Sequence, residues 1–91
     1  MNSDFWYRFK HGDIAIRFNT NGETKEFLEL CEERDCVWGD GSYPREFNPF
    51  PIHKNYTYIR VLCGQLVCGN INFLIPNGIA ISKFSDLKGN L

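Results

Sequence analysis

The sequence predicts an α+β fold, in which a small antiparallel sheet of three to five strands carries one α-helix packed on one face. Two observations support this prediction. Short segments in which apolar and polar residues alternate recur along the chain, as in strands with one buried face. Only residues 23–35 have the wider apolar spacing of an amphipathic helix. The predicted order is β(β)αβββ, within a single domain that spans residues 1–91.

The N-terminal segment contains one clear strand and one weaker strand. Residues 14–18 alternate strictly, with three apolar side chains on one side and an alanine and an arginine on the other. Residues 5–10, FWYRFK, alternate loosely, so that the first, third and fifth of them, all aromatic, share one side. We therefore expect residues 1–12 to form an additional N-terminal strand or an arm.

The helix has a recognisable start and end. Thr20 and Glu23 fit a capping box, in which the hydroxyl accepts a hydrogen bond from the Glu23 amide and the carboxylate reaches back. The helix should end near Asp35, because residues 36–38 (Cys-Val-Trp) favour extended structure and a glycine follows them.

Residues 39–53 should form an irregular loop, because its glycines permit positive φ and its prolines disfavour helix at the residues before them. Such a long connection is usually either functional or disordered. Four rings argue against disorder, and we expect the loop to be packed. These rings are Trp38, Tyr43, Phe47 and Phe50.

The second half of the chain is rich in strand patterns. YTYIRVL (56–62) is the clearest, and a hairpin turn at residues 63–65 leads into LVCG. INFLI (71–75) also alternates, a strong turn signal follows at residues 76–78, and IAISKF (79–84) gives a last strand. The predicted core consists of Ile14, Ile16, Phe18, Phe27, Leu28, Cys31, Trp38, Ile59, Val61, Ile79 and Ile81.

Composition excludes several classes of function. The net charge of −1 gives no reason to expect general affinity for nucleic acid, and no segment approaches the ~20 apolar residues of a membrane span. The first residues contain no secretory leader, so we expect a cytoplasmic protein with free thiols. The pairs Cys31/Cys36 and Cys63/Cys68 have spacing at the edge of that of zinc ligands. Their helix and turn context favours buried apolar cysteines instead, and we expect no metal and no cofactor.

Charge is unevenly distributed. Residues 23–40 contain seven acids and two bases, whereas the rest of the chain contains four acids and eight bases. The acids either form a solvated helix face or form a surface that meets a basic partner.

No catalytic constellation is recognisable. His11 and His53 have no nucleophile or carboxylate at a family spacing, and residues 39–42 (GDGS) lack the lysine of a phosphate-binding loop. Rings beside bases in residues 6–10 and 56–60 could stack on single-stranded nucleic acid, but core packing explains them as well. We therefore expect a protein that is not an enzyme.

Several motifs together resemble a known group of proteins. EFLELCEE is followed by Trp38-Gly39-Asp40-Gly41, then by PREFNPF, a tyrosine-rich strand, a glycine-marked hairpin and ISKFSDL. This pattern, over about four-fifths of the chain, resembles the small uncharacterised proteins of phages and prophages of Gram-positive bacteria. The resemblance implies that Trp38 fills the gap between helix and sheet and that residues 84–87 close the sheet. It also implies an anti-defence, anti-CRISPR-like role, since many short phage genes block host defences.

Two functional hypotheses follow. The first is a non-enzymatic phage-encoded inhibitor that binds and blocks a host defence protein, for example a CRISPR nuclease, through acidic residues. These are Glu26, Glu29, Glu33 and Asp40. The alternative is an oligomeric binding protein that sequesters a small nucleotide signal by ring stacking and phosphate contacts. Its residues would be Tyr43, Arg45, Phe47, Phe50 and Arg60. An exposed aromatic edge strand at the N-terminus would favour a homo-oligomer.

Overall fold

A computed structural model describes residues 3–72 and 79–87 of the chain. It has the predicted α+β class, with a four-stranded sheet and several helices. The elements in chain order are α1 (Ser3–Lys10), β1 (Ile14–Arg17), α2 (Asn21–Glu33), a 3-10 turn (Pro44–Glu46), α3 (Phe50–His53), a second 3-10 turn (Lys54–Tyr56), β2 (Thr57–Leu62), β3 (Gln65–Asn70), β4 (Ala80–Lys83) and α4 (Phe84–Leu87).

The sheet is mixed, with strand order β3-β2-β1-β4. β2 is antiparallel to both neighbours, and Ile16 of β1 lies opposite Ile59. β4 runs parallel to β1, with Ile14 opposite Ala80. The prediction of a wholly antiparallel sheet is corrected on this point, because the chain leaves β3 at one edge of the sheet and joins the opposite edge beside β1.

The N-terminal segment is a helix, so the expected extra strand in residues 1–12 is wrong. Phe5, Trp6 and Phe9 are buried together at the i, i+1, i+4 spacing of a helical face. The strand prediction placed Tyr7 with Phe5 and Phe9, but Tyr7 is 65% exposed. The prediction of one helix is corrected as well, since α1 and α2 both contribute to the core.

Helix α2 begins as predicted. The Glu23 amide donates to the Thr20 hydroxyl at 3.1 Å, and the Glu23 carboxylate accepts from the Asn19 amide at 2.8 Å. The carboxylate thus reaches back one residue further than in the usual capping box. The inward face buries Thr24, Phe27, Leu28 and Cys31.

Helix α2 ends in a Schellman motif. Asp35 adopts a left-handed conformation with φ 62°. The Cys36 amide donates to the Cys31 carbonyl at 3.0 Å, and the Asp35 amide donates to the Glu32 carbonyl at 3.2 Å. These two bonds satisfy carbonyls that the helix leaves free and turn the chain towards the sheet.

The core lies between the helices and one face of the sheet, and Phe27 is at its centre. The rings of Trp6, Phe9, Phe18 and Phe84 all have centroids 5.3–5.8 Å from that of Phe27. Phe84 begins α4 directly after β4, so the parallel edge strand delivers a ring to the same cluster.

Nine of the predicted core residues are buried, and two positions differ. Ile79 is half-buried and Ile81 is 45% exposed. Ile81 pairs with Ala15, which lies between the inward-facing Ile14 and Ile16. Ile81 therefore projects from the face of the sheet away from α2.

The aromatic loop is packed in part: Trp38 is buried and Phe50 is half-buried, whereas Tyr43 is 60% exposed and Phe47 is 41% exposed. Trp38 is buried, and its indole N–H donates to the Pro44 carbonyl at 3.0 Å. The Leu66 amide donates to the Val37 carbonyl at 2.8 Å, which attaches the start of the loop to β3. The edge of Phe47 meets the Trp38 ring at a centroid distance of 5.4 Å. The loop contains short helical turns and is less irregular than expected.

The β2–β3 hairpin is confirmed, and its turn is Cys63-Gly64. Both residues have positive φ (54° and 81°), as a two-residue hairpin turn of type I′ requires. A strand was expected at residues 71–75, but its first two residues, Ile71 and Asn72, form a turn after β3. Residues 73–75 and the turn expected at 76–78 lie outside the described residues.

Candidate functional site

Three glutamates of α2 share one side of the helix. Glu26, Glu29 and Glu33 are spaced i, i+3, i+7, which aligns them along about 10 Å of the helix axis. Glu29 and Glu33 are exposed and Glu26 is half-exposed, while Phe27 and Cys31 point into the core. We call these three glutamates the acidic face.

Asp40 belongs to a different element, the turn that follows Trp38. The carboxylate accepts hydrogen bonds from the Ser42 hydroxyl at 2.7 Å and from the Ser42 amide at 2.9 Å. These bonds, that of the hydroxyl first, lower the pKa of the Asp40 carboxyl below its ordinary value. Asp40 is fully exposed and remains a candidate contact, but its hydrogen bonds hold it to the loop.

A groove separates α2 from the 3-10 turn at Pro44–Glu46. Two contacts tie this part of the loop to the helix: Arg45 pairs with Glu32 at 3.5 Å, and the Asn48 side-chain amide donates to the Asn21 side chain at 2.8 Å. The groove has a cavity volume of about 310 Å³, and we call it the α2 groove. It is lined by Lys25, Leu28, Glu29, Arg45 and Asn48. Glu29 therefore belongs to both the acidic face and the α2 groove.

The residues proposed for nucleotide binding fall into three separate environments. Arg45 lines the α2 groove, and the exposed rings of Tyr43 and Phe47 lie in the same loop segment. Phe50 is half-buried and packs against the core. Arg60 lies on β2 between the inward-facing Ile59 and Val61, so it projects from the face of the sheet away from α2.

Two lining residues of the α2 groove had no functional signal in the sequence. In the sequence, Lys25 is an isolated base on an acidic helix, and Asn48 is a loop residue that precedes a proline. They meet because the loop folds back onto α2, which local patterns do not encode. The high density of aromatic rings in residues 38–50 was the one sequence feature that predicted a loop packed against the rest of the domain.

The cysteines form one close pair and two separate thiols. Cys31 and Cys36 are buried and are joined by the backbone hydrogen bond from the Cys36 amide to the Cys31 carbonyl, whereas Cys63 is exposed in the hairpin turn and Cys68 is half-buried on β3. Burial raises the pKa of Cys31 well above its ordinary value, and the hydrogen bond from Cys31 lowers the pKa of Cys36. Within residues 3–72 and 79–87, no three His, Cys, Asp or Glu side chains are grouped to hold a metal ion.

A second pocket, of about 200 Å³, opens beside Cys36. It is lined by Lys10, Asp35, Cys36, Val61, Gly64 and Leu66, and we call it the Cys36 pocket. The Lys10 ammonium donates to the Arg34 carbonyl at 2.6 Å. A cation is thus placed at the C-terminal end of α2, where the helix dipole favours it.

Comparisons with known proteins give no further guide to this site. No family model, no curated protein and no solved structure matches the chain. Among the described residues, no helix has the length and apolar character needed to cross a membrane. The features of the chain that bear on function are therefore the two pockets and the acidic face.

Proposed function

We propose that this chain is a non-enzymatic binding protein whose acidic face and α2 groove together dock against a basic surface of another protein. One observation carries the proposal: Glu29 belongs both to the acidic face and to the α2 groove, at the base of which lies the buried Leu28. A partner could therefore place basic side chains on the acidic face and an apolar side chain in the groove.

The electrostatics of α2 favour such a partner. Carboxylates that line one side of a helix repel one another, and basic side chains of a partner would relieve this repulsion. A field of one sign also speeds encounter with an oppositely charged surface, and salt screens the attraction. The exposed rings of Tyr43 and Phe47 add apolar area in the adjoining loop, and tyrosine and phenylalanine are enriched at protein interfaces.

The narrower proposal is a phage-encoded inhibitor that acts in the cytoplasm of a host bacterium. Its target would be a host defence protein, for example a CRISPR nuclease, whose basic groove normally takes nucleic acid. The acidic face would occupy that groove and block it. This narrower proposal is supported by the likeness of the EFLELCEE, WGDG and FSDL motifs to small phage proteins.

Charge reversal tests the proposal. The variant Glu29→Lys/Glu33→Lys reverses two negative charges of the acidic face, and Asp13→Lys/Asp86→Lys makes the same change in net charge outside α2. Each tagged protein would be incubated with bacterial host lysate at ~50 mM and ~500 mM salt, which differ several-fold in screening. Bound proteins would then be identified by mass spectrometry.

We expect wild type and the Asp13/Asp86 control to retain the same partner at low salt, and the Glu29/Glu33 variant to lose it. High salt should weaken binding of the wild type. A partner that both variants retain equally, or one that binds independently of salt, would contradict the acidic-face proposal.

A second candidate is an oligomeric protein that sequesters a small nucleotide. Arg45 and Lys25 line one groove, and its volume lies near the lower end of the ~300–1,000 Å³ usual for ligand pockets. This candidate ranks second because Glu29 also lines the groove and Glu32 pairs with Arg45, and both carboxylates oppose a phosphate.

Thermal unfolding with a panel of nucleotides separates the two candidates. A tight ligand at ~100 times its Kd would raise the free energy of unfolding by about 2.7 kcal/mol and the Tm by several degrees. Arg45→Ala should abolish that shift, and size-exclusion chromatography reports whether an oligomer forms. A panel that leaves the Tm unchanged argues against the nucleotide candidate.

A further inference from the structure

The Schellman motif at the end of α2 holds two cysteines against each other. In this motif the third residue from the helix end and the second residue beyond the cap usually make an apolar contact. Here those two positions are Cys31 and Cys36, joined by the 3.0 Å backbone hydrogen bond. The motif therefore places the two cysteine residues side by side at the end of α2.

The backbone geometry admits a bond between the two sulfurs. A 3.0 Å hydrogen bond from the Cys36 amide to the Cys31 carbonyl limits the separation of their Cα atoms. With standard bond lengths this separation is under about 7 Å. Disulfides form without movement of the backbone only below about that limit. The separation of the Cys31 and Cys36 Cα atoms thus meets the distance condition for a disulfide.

Cys36 is the more accessible of the two cysteines, with 8% of its surface exposed against 0% for Cys31. It lines the Cys36 pocket, whereas Cys31 is completely buried behind it. The Cys36 thiol and the Lys10 ammonium both contact the Arg34 carbonyl, at 4.0 Å and 2.6 Å. A fixed cation therefore lies close to Cys36, and both residues line the Cys36 pocket.

We propose that Cys31 and Cys36 form a thiol–disulfide exchange site, in which Cys36 attacks a low-molecular-weight disulfide and Cys31 completes the reaction. Glutathione disulfide represents the chemical class. The site is independent of the docking surface on α2, because it lies at the other side of the helix end and uses none of the acidic-face residues.

The electrons and atoms balance in two steps. The Cys36 thiolate attacks one sulfur of glutathione disulfide, so a Cys36–glutathione bond forms and one glutathione thiolate leaves. The sulfur of Cys31 then attacks Cys36 and expels the second glutathione as a thiolate, which takes up the proton that Cys31 loses. The protein dithiol is oxidised by two electrons to a disulfide, and the reagent is reduced to two thiols, which take up protons.

The environment of the pair assigns these roles. The hydrogen bond donated by Cys31 and the charge of Lys10 both lower the pKa of Cys36, whereas burial and the carboxylate of Asp35 raise it, and the balance is a lowered pKa. Cys36 is thus the better thiolate. Cys31, with its raised pKa, is held as a thiol until the mixed disulfide forms beside it.

Peptide mapping of the native full chain tests the site directly. The protein would be incubated with glutathione disulfide, quenched with acid, alkylated and digested with trypsin. Cleavage after Arg34 separates Cys31 from Cys36. A disulfide between them therefore appears as two peptides joined, residues 26–34 and 35–45. We expect this joined pair, and its loss after dithiothreitol.

Single substitutions distinguish the two roles. Cys31→Ser should stop the reaction at a glutathione adduct on Cys36, and Cys36→Ser should leave Cys31 unmodified. Cys63 is exposed in the hairpin turn, so in every variant it serves as a reference for the reaction of an exposed thiol with glutathione disulfide. Circular dichroism checks that each variant is folded. The peptide map of the wild-type protein tests the Cys31–Cys36 disulfide even if a variant fails to fold.

The proposal is overturned if Cys63 takes up glutathione while Cys31 and Cys36 remain thiols in the native wild-type protein. It is equally overturned if Cys31 reacts in the Cys36→Ser variant, since the buried thiol would then need no partner.

The role of Lys10 has its own readout. Lys10→Met should slow modification of Cys36 several-fold near neutral pH and shift the pH–rate profile to higher pH. The rates of the variant and the wild type should become equal once Cys36 is fully ionised. Lys83→Met removes an exposed lysine on β4 and should leave the profile unchanged. An effect of Lys10→Met that is the same at every pH would mean that Lys10 acts only by holding the helix end.

Discussion

The two tryptophans are buried to the same degree but differ in one hydrogen bond, and this difference predicts unequal effects of the same substitution. Trp6 is 5% exposed and Trp38 is 6% exposed. The Trp38 indole N–H donates to the Pro44 carbonyl at 3.0 Å. The Trp6 indole N–H is buried and has no hydrogen-bond partner among the described residues. We therefore compare Trp6→Phe with Trp38→Phe.

Both substitutions remove a similar volume, and the lost contacts should cost about 1–2 kcal/mol at each position. At Trp38 a hydrogen bond of about 1 kcal/mol is lost in addition. At Trp6 the substitution removes a buried donor that lacks a partner, and such a donor costs about 1–3 kcal/mol to bury. A phenylalanine at position 6 would also bind the Arg34 guanidinium, which lies 5.2 Å from the Trp6 ring centroid, less strongly, at a cost of up to ~1 kcal/mol. We therefore expect Trp38→Phe to lower the free energy of unfolding by about 1–3 kcal/mol more than Trp6→Phe.

Urea denaturation followed by circular dichroism measures this difference, because each variant lacks one of the two fluorescent indoles. With a slope of roughly 1–3 kcal/mol per molar urea, the two midpoints should differ by about 1 M. Trp38→Ala should cost about 3–5 kcal/mol, a large share of the stability of a domain this small. Equal midpoints for the two phenylalanine variants, or an unchanged midpoint for Trp38→Ala, would refute the reasoning.

Three further outcomes follow from single positions. Gly69→Ala should destabilise the protein by about 1–3 kcal/mol, because a Cβ there would lie 2.7 Å from ring atoms of Tyr58; thermal unfolding would measure the loss. Asp35→Gly should raise the free energy of unfolding by about 0.5–1 kcal/mol, because residue 35 has a φ of 62°; an unchanged or lower urea midpoint would contradict this. Asp40 has a lowered pKa in the folded state, so its contribution to stability is present above its unfolded pKa near ~4 and is lost as pH falls through the folded pKa. Asp40→Asn should therefore reduce the loss of stability on acid titration, measured as Tm against pH, and a steeper loss would contradict the hydrogen bonds from Ser42.

The sequence predicts those elements best in which one local pattern has one physical interpretation. Residues 14–18 alternate strictly, and Thr20 with Glu23 specifies where α2 begins. Trp38 is buried as expected, because it is a large ring between a helix end and a strand. These features depend only on neighbours in the sequence, so they can be inferred without knowledge of the tertiary structure.

The errors have physical causes of two kinds. The rings of residues 5–10 fit both an i, i+2 strand face and an i, i+1, i+4 helix face, and six residues are too few to distinguish the periods. The direction of β4 is set by which edge of the sheet the chain reaches, and alternation does not encode it. Likewise, the α2 groove depends on contacts between Arg45 and Glu32 and between Asn48 and Asn21, each pair distant in sequence.

The parallel pairing of β4 with β1 has a consequence for synthesis on the ribosome. The Phe84 ring, which touches Phe18 and Phe27, is translated more than fifty residues after both of them. Until Ala80–Lys83 emerges from the exit tunnel, β1 has a vacant edge and the ring cluster lacks one wall. The nascent chain must therefore wait for its late segment before the core closes, and a chaperone that shields exposed aromatic surface would find its substrate in that interval.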